Sequence, residues 1–220
     1  MMVSGIHDVK RRSADPPPGA RKSSDRHWFG LRSAAMPPIR DQFCSACGTA
    51  YLARDAYPRR CPDPGCGLEV WANPIPVAVT LVPVIDGART GLLVVRRGIE
   101  PGRGRLALVG GFIEDHERWQ DAAAREVREE VQVTIDPASV TLLDAVSSAP
   151  RPNRILLFAT CAPVVAADLA PFVANAESLG RGVVYGPDGV DEFAFTLHAA
   201  AARRWFAERG VTGPMDLRAL

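Results

Sequence analysis

Residues 110–133 read GGFIEDHERWQDAAAREVREEVQV, two glycines followed by a run of strong helix formers. Because residues 120–131 contain neither glycine nor proline, this segment is predicted to be a helix. At about 100° per residue, Glu126, Glu129 and Glu130 fall within one arc of that helix. Beside the arc runs an apolar stripe, predicted to pack on a sheet, which consists of Ala123, Val127 and Val131.

The acidic arc is the feature that indicates chemistry. Carboxylates three and four residues apart repel one another and destabilise an isolated helix by about 0.2–0.5 kcal/mol per pair. No basic residue on the arc relieves that repulsion. Hard oxygen ligands in such a cluster suit Mg²⁺ or Mn²⁺, which keep coordination sites for water and phosphate. The alternative is a solvated acidic helix face that binds nothing.

The wider pattern consists of Gly111, then Glu117, then the run REVREEVQV at residues 125–133. This pattern resembles the Nudix box, in which a glycine, a spaced glutamate and an Arg-Glu-apolar-x-Glu-Glu core recur. Two positions depart from it. Val109 stands where relatives commonly have proline, and Gln132 replaces the glycine that usually ends the helix in a left-handed conformation.

The resemblance implies a fold and a reaction. The fold is of the α/β class, an α/β/α sandwich with a mixed sheet. The reaction is hydrolysis of a nucleoside diphosphate linked to a group X, of ADP-ribose, FAD or NADH type, which yields a nucleoside monophosphate and phosphorylated X. The residues implied to hold Mg²⁺ or Mn²⁺ are Glu126, Glu129 and Glu130, together with the backbone of Gly111. One of these glutamates or Glu177 is implied to accept the proton of the attacking water.

Further roles follow from the same resemblance. Arg125 is expected to orient a glutamate through a charge-assisted hydrogen bond. Gly110, Gly111 and Glu117 are expected to shape the loop that binds substrate.

Four of the five cysteines lie in one short window, as Cys44-x2-Cys47 and Cys61-x4-Cys66. Two such knuckles, each followed directly by glycine, are typical of a zinc ribbon with a closed, structural Zn²⁺ site. The alternative is a ribbon that has lost its metal. A ribbon that runs into the sequence Trp-Ala-Asn-Pro at residues 71–74 resembles the zinc-containing Nudix subgroup of NADH and of ADP-ribose or FAD pyrophosphatases.

The predicted organisation is a disordered basic tail at residues 1–40, the zinc ribbon at 41–72, the Nudix domain at 73–210 and a C-terminal tail at 211–220. The tail could instead be a transit peptide, and Met36 is an alternative start of translation. Reduced cysteines without a signal h-region favour the cytosol.

The composition of the chain limits the kinds of binding partner that we expect. A net charge of +1 argues against a general polyanion binder, so nucleic acid is not the expected partner. No apolar run approaches the roughly 20 residues that cross a bilayer, and no membrane is expected. The expected partner is a small nucleotide substrate, and the family resemblance allows a homodimer.

Strands are predicted at residues 77–84, 91–95, 140–146, 154–161 and 182–185, with an Asp86-Gly87 hairpin turn between the first two. The basic loop at residues 96–105 contributes Arg96, and secondarily Arg97, as candidate partners for a pyrophosphate. The alternative is a solvated charged turn. Glu177 precedes the last of these strands, where relatives place a further acidic residue.

The loop at residues 147–153 lacks both aromatic residues of the signature that the resemblance associates with NADH, which makes NADH a doubtful substrate. A final helix is predicted at residues 197–208, capped by Thr196 and packed through Trp205. His116 and His198 are interpreted as ordinary surface histidines, and Cys161 as a buried small hydrophobe.

A second class of function is a nucleotide-sensing module that uses the same scaffold without catalysis, with the ribbon docking a partner. The intact Arg-Glu-x-x-Glu-Glu core at residues 125–130 argues against it, because a sensor does not need every metal carboxylate.

Overall fold

A computed structural model of the protein describes residues 42–52, 57–148 and 153–220. The chain divides into two compact units between Glu69 and Val70, and each unit is described by itself. The tail predicted for residues 1–40, with Met36 in it, lies outside the described residues, and the predicted domain boundaries stay predictions.

The first unit is built around two short strands. Strand β1 (Arg59–Arg60) pairs with β2 (Glu69–Val70), at which the division between the units falls. Two tight turns follow the cysteine knuckles, where Gly48 and Gly67 have φ of 75° and 59°. Glycine adopts these angles without the steric cost that a Cβ would add, so both turns bring backbone N–H groups close to the thiols.

The second unit contains, in its described part, ten strands and two α-helices. The strands are β3 (Ile75–Leu81), β4 (Pro83–Asp86), β5 (Arg89–Arg97), β6 (Leu106–Ala107), β7 (Val109–Phe112), β8 (Thr141–Ser147), β9 (Arg154–Thr160), β10 (Val164–Val165), β11 (Ser178–Val184) and β12 (Leu217–Ala219). The helices are α1 (Trp119–Val131) and α2 (Thr196–Ala207). Neither helix has the length and apolar character that spanning a bilayer would require.

The strands form two mixed sheets. One has the order β10-β4-β5-β11-β12, with β6 paired to β5, and the other has the order β7-β3-β9-β8. Each contains one parallel pair, β10 with β4 and β3 with β9. The predicted α/β class with mixed sheet is therefore confirmed.

The single strand predicted at residues 77–84 was wrong, because the run divides at Val82 into β3 and β4, which belong to different sheets. A continuous apolar run is buried throughout and carries no signal for the sheet that each residue joins. The Asp86-Gly87 turn is confirmed, since Asp86 pairs with Arg89 and Gly87 has φ of 60°.

The four-stranded sheet lies between the two helices. Ala78 of β3 belongs to the hydrophobic cluster that contains the predicted apolar stripe of α1, including Val127. Its neighbour Val79 belongs to the cluster that contains Trp205 and Phe206 of α2. This alternation follows from the period of two along a strand, and it confirms Trp205 as a core residue.

Two expectations at the C-terminal end need correction. His198 is buried, 6% exposed, and is not a surface histidine, because the first turn of α2 faces the core. Thr196 is the first helical residue, and the N-cap is Phe195, which has no side-chain capping bond. The segment expected to be a tail contains β12, which pairs antiparallel with β11.

Gly110 of β7 is expected to be essential for this packing. A Cβ at Gly110 would lie 2.2 Å from the carbonyl oxygen of Ala78 and 2.7 Å from the Cα of Val79, both rigid backbone atoms of β3. Gly110→Ala should therefore lower the free energy of unfolding by about 1–3 kcal/mol or more, measured by chemical denaturation. Gly180→Ala is the matched control, because its Cβ would meet only the Cβ of Arg96 at 3.9 Å. Equal losses in both variants would contradict this account.

Candidate active site

The glycine pair of β7 brings the backbone against the acidic face of α1. A Cβ on Gly111 would lie 2.3 Å from Oε1 of Glu126, so only glycine leaves space for that carboxylate. The N–H of Gly110 donates to Oε2 of Glu130 at 3.1 Å. The two glycines therefore let two carboxylates sit directly against the strand.

Arg125 is the cation around which the acidic residues are arranged. Its guanidinium makes a two-point contact with Glu117, with Nε to Oε2 at 3.1 Å and a terminal nitrogen to Oε1 at 2.7 Å. It also donates to Oε1 of Glu126 at 2.7 Å, to Oε2 of Glu129 at 3.2 Å and to the carbonyl of Phe112 at 3.0 Å. The expected charge-assisted bond to a glutamate is present, and it is shared among three of them.

Glu117 also closes the loop between β7 and α1. Its Oε1 accepts a hydrogen bond from the N–H of Glu114 at 2.9 Å. Arg125 lowers the pKa of Glu117 through the paired hydrogen bonds, so this carboxylate is ionised and fully engaged. Its place in the structure is that of a loop brace.

A cleft of about 700 Å³ opens beside these groups. Four glutamates line it, namely Glu100 on the basic loop and the group formed by Glu126, Glu130 and Glu177. Arg97 lines it too, with its guanidinium 4.8 Å above the ring of Phe195. The cleft is large enough for a nucleotide and has negative charge concentrated on one wall.

Of the two candidate arginines, Arg97 is the one that lines the cleft, and Arg96 does not. Successive residues of β5 point to opposite faces of the sheet. Arg96 instead donates to the carbonyl of Gly104 at 2.7 Å, and so supports the basic loop. The sequence favoured Arg96 over Arg97 as a partner for pyrophosphate, whereas their positions favour Arg97.

Burial sets the protonation behaviour of the two inner glutamates. Burial raises the pKa of Glu130 to about 7, against the lowering effect of the hydrogen bond from Gly110. Burial also raises the pKa of Glu126, against the lowering effect of Arg125. The charge of Glu177 adds to the rise at both groups, because like charges disfavour ionisation.

Glu129 is set apart from this pair. Its side chain is 53% exposed and does not line the cleft. Across residues 42–52, 57–148 and 153–220, the four cysteines are the one group of potential ligands whose atoms all lie within 4.8 Å of one another. The three glutamates share an arc of the helix, as predicted, but their carboxylates do not converge on one point.

Glu177 reaches the cleft from a loop at residues 169–177, which has no regular secondary structure. Asn175 ties this loop to the end of α1, donating to the carbonyl of Glu129 at 3.3 Å. The side-chain oxygen of Asn175 accepts from the N–H groups of Glu177 and Ser178 at 2.9 and 2.8 Å. Arg181 adds a bond to the carbonyl of Ala170 at 2.6 Å.

Gln132 makes a further connection to the same loop and corrects the expectation at the helix end. It adopts the left-handed conformation, with φ of 57°, so α1 does end in the usual way without glycine. Its side-chain amide donates to the carbonyl of Val173 at 2.6 Å and accepts from the N–H of Val173 at 3.1 Å. Sequence reasoning missed Gln132, Asn175 and Arg181, because contacts 41 to 50 residues apart leave no local pattern.

The cysteine knuckles of the first unit also converge. The four sulfur atoms lie within 4.8 Å of one another, and none is in a disulfide. The Sγ atoms of Cys44 and Cys66 are 3.8 Å apart, and those of Cys47 and Cys61 are 3.5 Å apart. Backbone N–H groups of Cys47 and Ala46 lower the pKa of Cys44 to about 6, which favours the thiolate that binds metal.

The fold and these carboxylates define a class, an α/β domain with an acidic nucleotide-sized cleft beside a glycine strand. Residues 74–176 match the model of the NUDIX domain family. This part of the chain is therefore similar to NUDIX domains. The four adjacent cysteines fit the zinc ribbon that precedes the domain in one subgroup.

Two curated relatives are NAD-capped RNA hydrolases named NudC. The protein of Deinococcus radiodurans is 34% identical over 112 residues, which cover 49% of this chain and 39% of that protein. The protein of Stutzerimonas stutzeri is 33% identical over 96 residues, which cover 44% of this chain and 33% of that protein. The chain thus spans about two fifths or less of the length of the curated relatives that it matches.

Among solved structures, a NUDIX hydrolase from Nitrosomonas europaea is similar to this chain with a TM-score of 0.57. The similarity covers 79% of this chain and 94% of that chain at 24% sequence identity. At this level of identity the likeness concerns the fold.

Replacing Gln132 is expected to separate helix-end strain from loop attachment. Gln132→Gly loses both bonds to Val173 but removes the left-handed strain, which costs a residue with a Cβ about 1 kcal/mol, so its free energy of unfolding should change little. Gln132→Ala loses the bonds and keeps the strain, and should be less stable by about 1–2 kcal/mol. Chemical denaturation measures both variants.

Amide hydrogen exchange supplies the second readout for this pair. The N–H of Val173 should exchange faster in both variants, because its acceptor is the side-chain oxygen of Gln132. Protection at Val173 equal to that of the wild type would contradict the attachment.

Proposed function

We propose that the chain is a pyrophosphatase that hydrolyses a nucleoside diphosphate linked to a group X. Water attacks one phosphorus, the phosphorus–oxygen bond of the bridge breaks, and the products are a nucleoside monophosphate and phosphorylated X. The observation that carries the proposal is the placement of Glu126, Glu130 and Glu177 on one wall of a nucleotide-sized cleft in a domain similar to NUDIX domains.

The donor set fits a divalent ion such as Mg²⁺ or Mn²⁺. Within the described residues, Oε2 of Glu126 and Oε1 of Glu130 take part in no hydrogen bond. Burial raises the pKa values of Glu126 and Glu130, the charge of Glu177 adds to the rise, and a bound cation would offset this cost of ionisation. We propose Glu126, Glu130 and Glu177 as the ligands within the cleft, together with the backbone of Gly111, whereas Glu129 lies outside the cleft and bonds to Arg125.

A divalent ion in such a site supplies Lewis-acid stabilisation of phosphate charge and raises the fraction of hydroxide at neutral pH. Arg125 neutralises part of the acidic charge and holds Glu126 in place. Its guanidinium is occupied by hydrogen bonds to glutamates and to the carbonyl of Phe112. Arg97 lines the cleft with its Nε bound to the carbonyl of Pro101 at 2.9 Å, and its terminal nitrogens are the proposed partners of phosphate oxygens, while Arg96 supports the loop. One of the carboxylates in the cleft, with Glu177 included, accepts the proton of water.

The comparisons support a nucleotide substrate. The curated relatives act, by their names, on NAD-capped RNA, and an NAD cap contains a diphosphate between two nucleosides. The chain lacks the aromatic residues at 147–153 that the family resemblance associates with NADH. We therefore propose the linked nucleoside diphosphate class, ADP-ribose, FAD and NADH types included, with a cytosolic location and a homodimer as further parts of the proposal.

We propose Zn²⁺ for the cysteine group, as a structural ion. Four thiols within 4.8 Å match the closed tetrahedral set of a zinc ribbon, which leaves no coordination position for a substrate. The buried Cys44 and Cys61 and the short two-stranded sheet form a unit with little apolar core, for which a metal supplies folding energy.

Loss of a carboxylate in the cleft should abolish most of the activity. With Mg²⁺ and a panel of ADP-ribose, NADH, FAD and nucleoside triphosphates, Glu126→Gln and Glu130→Gln should each lower kcat by about 10²-fold or more, because a metal ligand is lost. Release of the nucleoside monophosphate is measured by chromatography.

Glu208→Gln is the matched control, because Glu208 is an exposed residue that pairs with Arg204 away from the cleft. It should keep full activity. Turnover by Glu130→Gln equal to that of the wild type would contradict hydrolysis through a metal ion held by the cleft carboxylates. Stoichiometric nucleotide binding by the wild type without turnover on any substrate would instead favour the sensing module.

Zinc content provides a separate test of the ribbon. The purified protein should contain one equivalent of zinc by elemental analysis, and Cys61→Ser should lose most of it, because three thiols bind zinc much more weakly than four. Cys161→Ser is the control, since Cys161 is a lone buried thiol outside the group. One full equivalent of zinc in Cys61→Ser would contradict the assignment.

A further inference from the structure

The cleft has a second, chemically different wall. Besides the acidic groups, it is lined by apolar side chains of β3 and β9, of the segment before β7 and of the start of α2, a set that consists of Val77, Val79, Leu108, Leu156, Phe195 and Leu197, together with His198. Arg154 of β9 also lines the cleft, with its guanidinium 5.7 Å from the centroid of the Phe112 ring, but the apolar set itself carries no formal charge when His198 is neutral. It suits the part of a substrate that is flat and uncharged.

His198 is the polar group in that wall. The residue is 6% exposed, and its Nδ1 is fully buried without a hydrogen-bond partner in the described part of the chain. The imidazole packs between two aromatic rings, at 5.9 Å from the centroid of Phe158 and 4.9 Å from that of Phe195. Burial and, secondly, the charge of Arg97 together lower the pKa of His198 to about 3, so the ring is neutral at working pH.

These contacts assign the proton of the ring. A buried N–H without an acceptor is more costly than a buried lone pair without a donor, so Nδ1 is the unprotonated nitrogen. Nε2 then carries the hydrogen and is the nitrogen left to face the cleft that the side chain lines. A neutral donor in an apolar wall can pair with a neutral acceptor, such as a ring nitrogen or a carbonyl oxygen, without desolvating a charge of its own.

We propose that His198 is a specificity-determining residue, whose Nε2–H donates to a ring nitrogen or carbonyl oxygen of a nucleobase held against the apolar wall. This inference rests on the proposed function and deepens it, because it separates base recognition from the diphosphate site at Glu126 and Glu130. A substrate without a heterocycle gains nothing from His198.

The test measures binding, independently of hydrolysis. Isothermal titration in Mg²⁺ compares AMP, GMP, CMP and UMP with ribose 5-phosphate, which has no base. At least one nucleotide should bind the wild type about 10-fold or more tightly than ribose 5-phosphate. His198→Phe keeps the aromatic packing and removes the donor, and should reduce this advantage by about 10-fold while leaving ribose 5-phosphate unchanged.

Two further variants test whether the loss of base preference is specific to the N–H donor of His198. His198→Gln retains an N–H donor and should keep most of the preference for the base, which also covers the case in which the phenylalanine variant does not fold. His116→Phe is the matched control, because His116 is 83% exposed and does not line the cleft. It should bind every ligand as the wild type does.

Three results would overturn the inference. These are equal affinity of the wild type for ribose 5-phosphate and every nucleotide, an unchanged base preference in His198→Phe, and an equal loss for all ligands in that variant. Base-dependent binding that needs His198 but occurs without turnover would leave this inference standing and remove the proposed function. Turnover that needs Glu130 but not His198 would do the reverse.

Discussion

The close approach of the β7 backbone to α1 is the constraint on which the rest of the site depends. Gly111 has no side chain, so the carboxylate of Glu126 lies where a Cβ would otherwise be, and the N–H of Gly110 binds the carboxylate of Glu130. Because Gly110 also lacks a Cβ, β7 can lie against the backbone of β3. The glycine pair therefore fixes both the position of β7 at the edge of the sheet and the positions of the Glu126 and Glu130 carboxylates.

Charge balance explains the arrangement around that strand. Arg125 binds three carboxylates and one carbonyl, and so holds the acids that their mutual repulsion would separate. Glu117 is consumed as a loop brace, and Glu129 is drawn outward. The residual negative charge stays with Glu126, Glu130 and Glu177, in a place where solvent is partly excluded and an ionised group is costly. A cleft of this kind attracts a cation.

Glu177 depends on contacts that cross the fold. Its loop has no ladder of its own and is tied down by Gln132 and Asn175, with Gly98 donating to the carbonyl of Glu177 at 2.6 Å. Gln132 stands where the family pattern has glycine, and its amide compensates for the left-handed conformation by binding the loop. The departure from the pattern thus makes the end of α1 part of the support for the third carboxylate.

Local chemistry and periodicity were enough to specify a helix at residues 120–131 with its acidic and apolar faces, the glycine pair and the four cysteines, and the family resemblance implied the α/β class. These follow because spacing along one helix or one knuckle sets which side chains are neighbours. Tertiary packing, in contrast, places Glu129 outside the cleft, Arg97 rather than Arg96 in its lining, and His198 in its apolar wall. It also divides residues 77–84 between two sheets. Each of these depends on packing between segments far apart in the chain, for which no single stretch of residues carries a pattern.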